Sequence, residues 1–281
     1  MPEHFHLYCG LGDPWSHRVL IVRALKQLQD IVPLIIVDPI ITECGWKISQ
    51  AIDEHNSSNS DYDALYEMYL ETDPLFTGRV TVPLLWDSEC KKIINNASQD
   101  IMRILNSEFN EFSKSNLDLY PTKLVDEIDR VNDYVLDNIN NGVYKIGFTR
   151  SQHHYQQALD NLFEALDEIE QRLGYSHYLI GNEITEADIR LFVTLVRFDT
   201  IYHPYLKCNK KRLQDYHNLW AYTREIYQLP GVRETVNFDY MLKTYYGLNY
   251  LNPSQIIPNR PAIDFDADVK TVEYELYSAP F

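Results

Sequence analysis

The residues best placed to do chemistry are Asp13-Pro14-Trp15-Ser16-His17-Arg18, where an extended segment gives way to a helix. The run His4-Phe5-His6-Leu7-Tyr8 reads as a strand that continues through Gly10 and Gly12 and stops at Asp13-Pro14. Beyond it, Trp15, Val19, Leu20, Val22, Leu25 and Leu28 recur at roughly helical spacing. Asp is a favoured N-cap and Pro a favoured first helical residue, so the junction is well specified. A cysteine at such a cap is activated, because the helix N-terminus stabilises its thiolate. Asp13 gains the same stabilisation, but a carboxylate is a poor nucleophile toward sulfur. As a base toward a thiol it is mismatched by about four to five pKa units. Its charge also raises the pKa of a neighbouring thiol. Ser16, in the first helical turn, offers a different chemistry: a hydroxyl able to donate a hydrogen bond to a thiolate.

Those residues need a scaffold, and the first hundred residues alternate strand and helix signals. After the strand at 4–10 and the helix at about 14–29 comes the apolar run 32–37, which ends at Asp38-Pro39. Residues 53–60 form a loop by composition, and a short helical segment follows from Leu65 to Leu70. Arg79 to Asp87 reads as a β-branched strand interrupted by Pro83, which sheets accept only at an edge or a strand start. A turn at Ser88-Glu89, a returning strand Lys92–Asn95 and a helix capped by Ser98-Gln99-Asp100 complete the series. The order βαβα then ββα is the thioredoxin-like plan.

From about residue 120 the pattern is helical. Leu159, Leu162, Phe163, Leu166, Ile169 and Leu173 share one face, and Leu124, Ile128, Val131, Val135 and Ile139 form a second stripe. Thr185-Glu186-Ala187-Asp188 has the spacing of a capping box and opens a helix from Ile189 to Phe198. The expected organisation is therefore a thioredoxin-like domain over 1–105, a linker over 106–120, an all-α domain over 121–250 and an extended tail over 251–281.

Composition narrows the function classes. The 281 residues suffice for two ordinary domains. The net charge of −16 argues against nucleic acid or an anionic membrane surface as partner. The 21 tyrosines supply apolar faces with a polar handle, suited to cores and to pockets for aromatic ligands. Cys9, Cys44, Cys90 and Cys208 are scattered, which argues for a reducing compartment and against a metal site. Cys9 reads as a core thiol, Cys208 as structural. No secretory signal is evident and no apolar run approaches the ~20 residues of a membrane span, so a cytoplasmic location is expected.

Longer motifs carry a family resemblance. Asp13-Pro14-Trp15-Ser16-His17-Arg18 resembles the Cys-Pro-Trp-Ala-His-Arg signature of the xi-class glutathione transferases, the glutathionyl-hydroquinone reductases. Gly45-Trp46, Gly78 to Asp87, Asn141 to Phe148, Thr185 to Phe192, Val196 to Asp199, Leu206 to Asn209 and Asn252-Pro253 match in the family's order. The resemblance implies a glutathione transferase fold, glutathione as co-substrate, no metal, and a homodimer. In active members the cap cysteine attacks the sulfur of a glutathionyl-hydroquinone, and a second glutathione resolves the mixed disulfide. By position, Trp46, Arg79, Val82 and Ser98 would line the glutathione site. Val82 would pair the cysteinyl backbone beside a cis Pro83, and Ser98 would take the γ-glutamyl carboxylate. Tyr144 and Tyr202 would face an aromatic or quinone ligand. Two positions depart from the pattern: Asp13 stands at the family's cysteine, and Ala97 at the acid that holds the γ-glutamyl ammonium. Three readings follow: a residual transferase acting on small aromatic electrophiles through Ser16 or a tyrosine, a non-catalytic thiol- or quinone-binding protein, and a structural paralogue with a vestigial pocket.

Overall fold

The computed structural model describes residues 4–43, 45–49 and 60–268. The expected loop over 53–59, Cys44 and the tail beyond 268 lie outside them. Strand β1 (Phe5–Cys9) pairs in parallel with β2 (Leu34–Ile36), Leu7 opposite Leu34, and antiparallel with β3 (Leu84–Asp87), Leu7 opposite Leu85. Strand β4 (Lys92–Asn95) adds antiparallel to β3, giving the order β2-β1-β3-β4. The parallel β1–β2 pair needs a crossover, which α1 (Pro14–Leu25) supplies. β2 and β3 are buried along their length, so their sequences are continuous apolar runs apart from Asp87; β4 alternates as a sheet edge does. Helices α2 (Leu65–Thr72) and α3 (Ser98–Ser107) complete the thioredoxin-like unit.

Two local expectations change. The strand expected from Arg79 starts only at Leu84, after the cis Val82–Pro83 peptide, because proline has no N–H for the ladder. The N-cap of α3 is Ala97, whose side chain makes no cap hydrogen bond, and Ser98 is the first helical residue. The Asn95 side chain accepts the Ala97 N–H at 2.7 Å and so shapes the entry to the helix.

The second unit is helical: α4 (Val125–Val135), α5 (Gly142–Phe148), α6 (Gln152–Arg172), α7 (Glu186–Arg197) and α8 (His217–Gln228). Every residue of α7 is buried. The capping box is present at its start: Asp188 accepts the Thr185 N–H at 2.8 Å, and also the Leu179 N–H at 2.9 Å and the Tyr222 hydroxyl at 2.8 Å. Burial raises the Asp188 carboxyl above the usual carboxylate range, against the pull of those bonds. No helix among the described residues is long and apolar enough to cross a membrane.

The division of the chain differs from the contiguous one expected at 105, 120 and 250. The first compact unit runs to Leu117 and takes back Pro230–Arg260; the second is Asp118–Leu229, joined by the segment that begins at Pro261. Gly231, at φ +85°, starts the return, and a Cβ on it would stand 3.3 Å from the Ala24 Cβ. Helix α9 (Phe238–Tyr246) then packs so closely that a Cβ on Gly12 would meet the Thr244 Oγ1 at 2.1 Å. His17, fully buried, bonds Thr235 at 2.9 Å and ties α1 to the same segment. In the second unit Phe265 is buried against Trp220 and Tyr227.

Candidate functional site

The cap of α1 is built as its sequence demands. Asp13 is extended (φ −79°, ψ 129°), its Oδ2 accepts the Ser16 N–H at 2.6 Å, and Pro14 occupies the first turn. The carboxylate is half-buried. Ser16, expected as a donor to a ligand thiolate, is not at the surface. The residue is 0% exposed, and its Oγ accepts the Gly10 N–H at 3.2 Å. Cys9 is likewise fully buried. Burial pushes the Cys9 thiol far above its usual range, and the Asp13 charge adds to the shift. Cys9 is an inert core thiol.

Asp13 and Val82 both approach Gly10. A Cβ built there would lie 3.5 Å from the Asp13 Cβ and 3.6 Å from the Val82 Cγ2. Neither the N–H nor the C=O of Val82 has a hydrogen-bond partner among the described residues. Beside the cis peptide this leaves one donor and one acceptor on the main chain, the pattern that an added extended segment completes.

The loop carrying Val82 is held by a residue that the motifs did not single out. The Tyr69 hydroxyl donates to the Thr81 C=O at 3.1 Å, accepts the Thr81 N–H at 3.2 Å and accepts the Asn96 side-chain N–H at 3.0 Å. Tyr69 thus joins the Val82 loop to the turn before Ser98. Its sequence signal was only a buried position on a short helix. Trp46 is packed in the same core cluster as Val82 and Tyr69, so its ring serves packing as well as any ligand contact. Arg79 is exposed and has no hydrogen bond or ion pair among the described residues. Ser98 is half-buried in the first turn of α3.

In the helical unit Tyr144 and Tyr202 come together. Their hydroxyls are 3.3 Å apart and their rings meet edge to face at 5.9 Å. Tyr202 is fully buried, whereas Tyr144 is half-buried and stacks on Phe148. Tyr144 follows the π-helical turn 136–140 and Tyr202 is the last residue of the turn 198–202, a local widening frequent at functional sites. Asn140 fixes the first turn to α7, donating to the Arg190 C=O at 2.9 Å and to the Thr194 Oγ1 at 2.7 Å. Cys208 is buried, its N–H bonded to the Tyr202 C=O at 3.0 Å, and burial raises its thiol. No group of three or more His, Cys, Asp or Glu among the described residues is arranged to hold a metal.

Comparison with known proteins places these features in a family. The glutathione S-transferase N-terminal domain matches residues 14–108 and the glutathione S-transferase C-terminal domain residues 152–225. The chain is 43% identical over 266 residues to the glutathionyl-hydroquinone reductase YqjG of Escherichia coli, covering 94% of this chain and 81% of that protein. The glutathione-bound structure of YqjG superposes with a TM-score of 0.89 over 94% of this chain and 87% of its own. A xi-class glutathione transferase from Natrialba magadii, 40% identical, gives 0.92 over 96% of this chain and 83% of its own.

Proposed function

This chain belongs to the glutathione S-transferase family, in its xi class, and from that premise we propose that it binds glutathione but lacks the cysteine-dependent glutathionyl-hydroquinone reductase reaction. One observation carries the proposal: the residue that caps α1 is Asp13, and both it and Val82 approach Gly10. Reduction requires a thiolate there to attack the glutathionyl sulfur, form a mixed disulfide and release the hydroquinone. Asp13 supplies no sulfur, and the thiol four residues earlier, Cys9, is sealed in the core.

The N–H and C=O of Val82, without a hydrogen-bond partner among the described residues, support glutathione as the ligand, since they would pair the cysteinyl backbone as an added strand. Arg79, Trp46 and Ser98 are the further contacts proposed, with Ser98 at the start of α3 receiving the γ-glutamyl carboxylate. Ala97 offers no charge to the ammonium, a loss of about 1.5–3 kcal/mol, so affinity falls by one to two decades. The Tyr144–Tyr202 pair is assigned to the aromatic part of a quinone-like ligand. Burial of Ser16 favours the non-catalytic binding protein over a residual transferase acting through that hydroxyl. A homodimer in the cytoplasm belongs to the same proposal, the dimer being checked by light scattering of the purified protein.

Calorimetric titration with glutathione tests the reading, together with Asp13→Cys. Binding by the natural protein and reductase turnover created by Asp13→Cys are the expected results. Turnover of a glutathionyl-hydroquinone by the natural protein would overturn the proposal. So would the absence of binding at millimolar glutathione, combined with an inert Asp13→Cys protein.

A further inference from the structure

We propose that Tyr69 is a positioning residue of the glutathione site: its hydroxyl orients the Val82 N–H and so sets how the ligand main chain is received. This role rests on the glutathione-binding reading and belongs to a residue that itself touches no ligand.

The ring of Tyr69 is fixed by packing. It is 3% exposed on α2, shares a core cluster with Trp46, Val82 and Leu84, and meets the Phe76 ring at 4.7 Å. Its hydroxyl therefore has a set position. A hydroxyl offers one donor and two acceptor sites, and here all three are filled. The proton goes to the Thr81 C=O at 3.1 Å, while the oxygen accepts the Thr81 N–H at 3.2 Å and the Asn96 side-chain N–H at 3.0 Å. One atom thus holds the peptide groups on both sides of Thr81.

The second of those peptides leads to the ligand. The Thr81 C=O and the Val82 N–H belong to one planar unit, and the cis bond lies one residue later, at Val82–Pro83. In a trans peptide the two groups point in opposite directions. Holding the carbonyl toward Tyr69 therefore turns the Val82 N–H away from it. That N–H has no hydrogen-bond partner among the described residues. Hydrogen bonds in series polarise one another, and here the Asn96 amide, the Tyr69 hydroxyl and the Thr81 carbonyl stand in series behind the Val82 N–H.

The series begins at the other half of the site. Asn96 follows Asn95, whose side chain accepts the Ala97 N–H at 2.7 Å, and precedes the first turn of α3, where Ser98 stands. The donor offered to the cysteinyl carbonyl and the helix start offered to the γ-glutamyl carboxylate are thus tied to one hydroxyl. A ligand read at both ends stays in register only while that hydroxyl is present.

Tyr69→Phe removes the hydroxyl and keeps the ring. Thr72→Val is the control, because the Thr72 Oγ1 accepts the Ile93 N–H at 3.0 Å and ties the same helix to β4 without touching Thr81. In calorimetric titration with glutathione, Tyr69→Phe is expected to bind about three- to tenfold more weakly, the loss expected for one hydrogen bond. Thr72→Val should lose less than about twofold. In the unliganded proteins the Val82 amide resonance, followed with isotope-labelled valine, should move in Tyr69→Phe and stay in place in Thr72→Val. An affinity of Tyr69→Phe within about twofold of the natural protein, or an equal loss in Thr72→Val, overturns the assignment. So does an unmoved Val82 resonance in Tyr69→Phe. Failure of the natural protein to bind glutathione at millimolar concentration overturns the binding reading instead, and the Val82 resonance then decides whether Tyr69 orients that peptide.

Discussion

Asp13 and Ser16 close the first turn of α1 on itself: the Asp13 carboxylate accepts the Ser16 N–H at 2.6 Å, while the Ser16 hydroxyl turns inward to the Gly10 N–H at 3.2 Å. The backbone of Ser16 thus serves the cap while its side chain is buried. The residue of this turn whose Cβ approaches Gly10, as the Val82 side chain does, is the acid. The chemistry proposed for the site follows from that division of roles.

The cap itself is testable by stability alone. Asp13→Ala removes the acceptor for the Ser16 N–H and is expected to cost about 1 kcal/mol, within the roughly 0.5–2 kcal/mol range of cap losses. Asp13→Asn preserves the acceptor and should stay within a few tenths of the natural protein. Urea unfolding of the three proteins compares them. An Ala variant as stable as the natural protein would show that the carboxylate contributes nothing as a cap.

Gly12 is required by the return of the chain. Its missing side chain lets α9 approach until a Cβ would meet the Thr244 Cβ at 2.6 Å and the Tyr240 C=O at 2.8 Å. The carbonyl belongs to the backbone and cannot rotate away, so Gly12→Ala forces helix and loop apart at a cost of roughly 1–3 kcal/mol. Because the loop leads into Asp13, glutathione affinity should fall with it. Thermal melts and calorimetry on Gly12→Ala check both. An unchanged melting temperature would show that the segment after Pro230 yields freely.

Features set by neighbouring residue types were legible in the sequence. Asp13-Pro14 declares a helix start, Thr185 and Asp188 declare another, and the stripe from Leu159 to Ile169 is buried along α6 as its spacing requires. Features set by distant packing were not. The helical periodicity of residues 238–246 is the same whether α9 joins the helical unit or returns to the thioredoxin-like one, and only Gly12 and Gly231 explain the return. The inward turn of Ser16 depends on where β1 delivers the Gly10 N–H, which no residue type announces. Val82 was singled out by motif, yet the hydroxyl that holds its loop through Thr81, that of Tyr69, is one of 21 tyrosines. The π turns, one before Tyr144 and one ending at Tyr202, leave no compositional mark.

Asp87 gives the fold a defined acid sensitivity. Its Oδ1 accepts the Cys90 N–H at 3.0 Å and the Glu89 N–H at 2.9 Å at the β3–β4 turn. Those bonds, with that from Cys90 foremost, hold the Asp87 carboxyl below its ordinary value. A carboxyl lowered in the folded state adds stability in full above the unfolded value near 3.9, and that stability is lost as pH falls through the folded value. Asp87→Asn keeps an acceptor oxygen but no charge. Its stability deficit at pH 7 should therefore shrink as the pH is taken toward 3. Urea unfolding of both proteins at the two pH values measures it, and a deficit that grows on acidification would reverse the sign.

Asn140 is expected to be the residue on which the first π turn depends. It is 3% exposed, and its side-chain amide donates to both the Arg190 C=O and the Thr194 Oγ1 on α7. Asn140→Ala deletes both bonds at once and leaves the Thr194 hydroxyl buried with one partner fewer. Losing buried polar partners of this kind costs about 1–3 kcal/mol. Asn138, two residues earlier in the same turn, donates only to the Tyr134 C=O at 3.0 Å and is part-buried, so Asn138→Ala should cost well under half as much. Because the turn leads into α5, relaxation after Asn140→Ala should also shift Tyr144 from its edge-to-face contact with Tyr202, a change visible in near-ultraviolet circular dichroism. Equal stability losses in the two variants, with the aromatic signal unchanged in both, would show that the turn holds its shape without the bridge to α7.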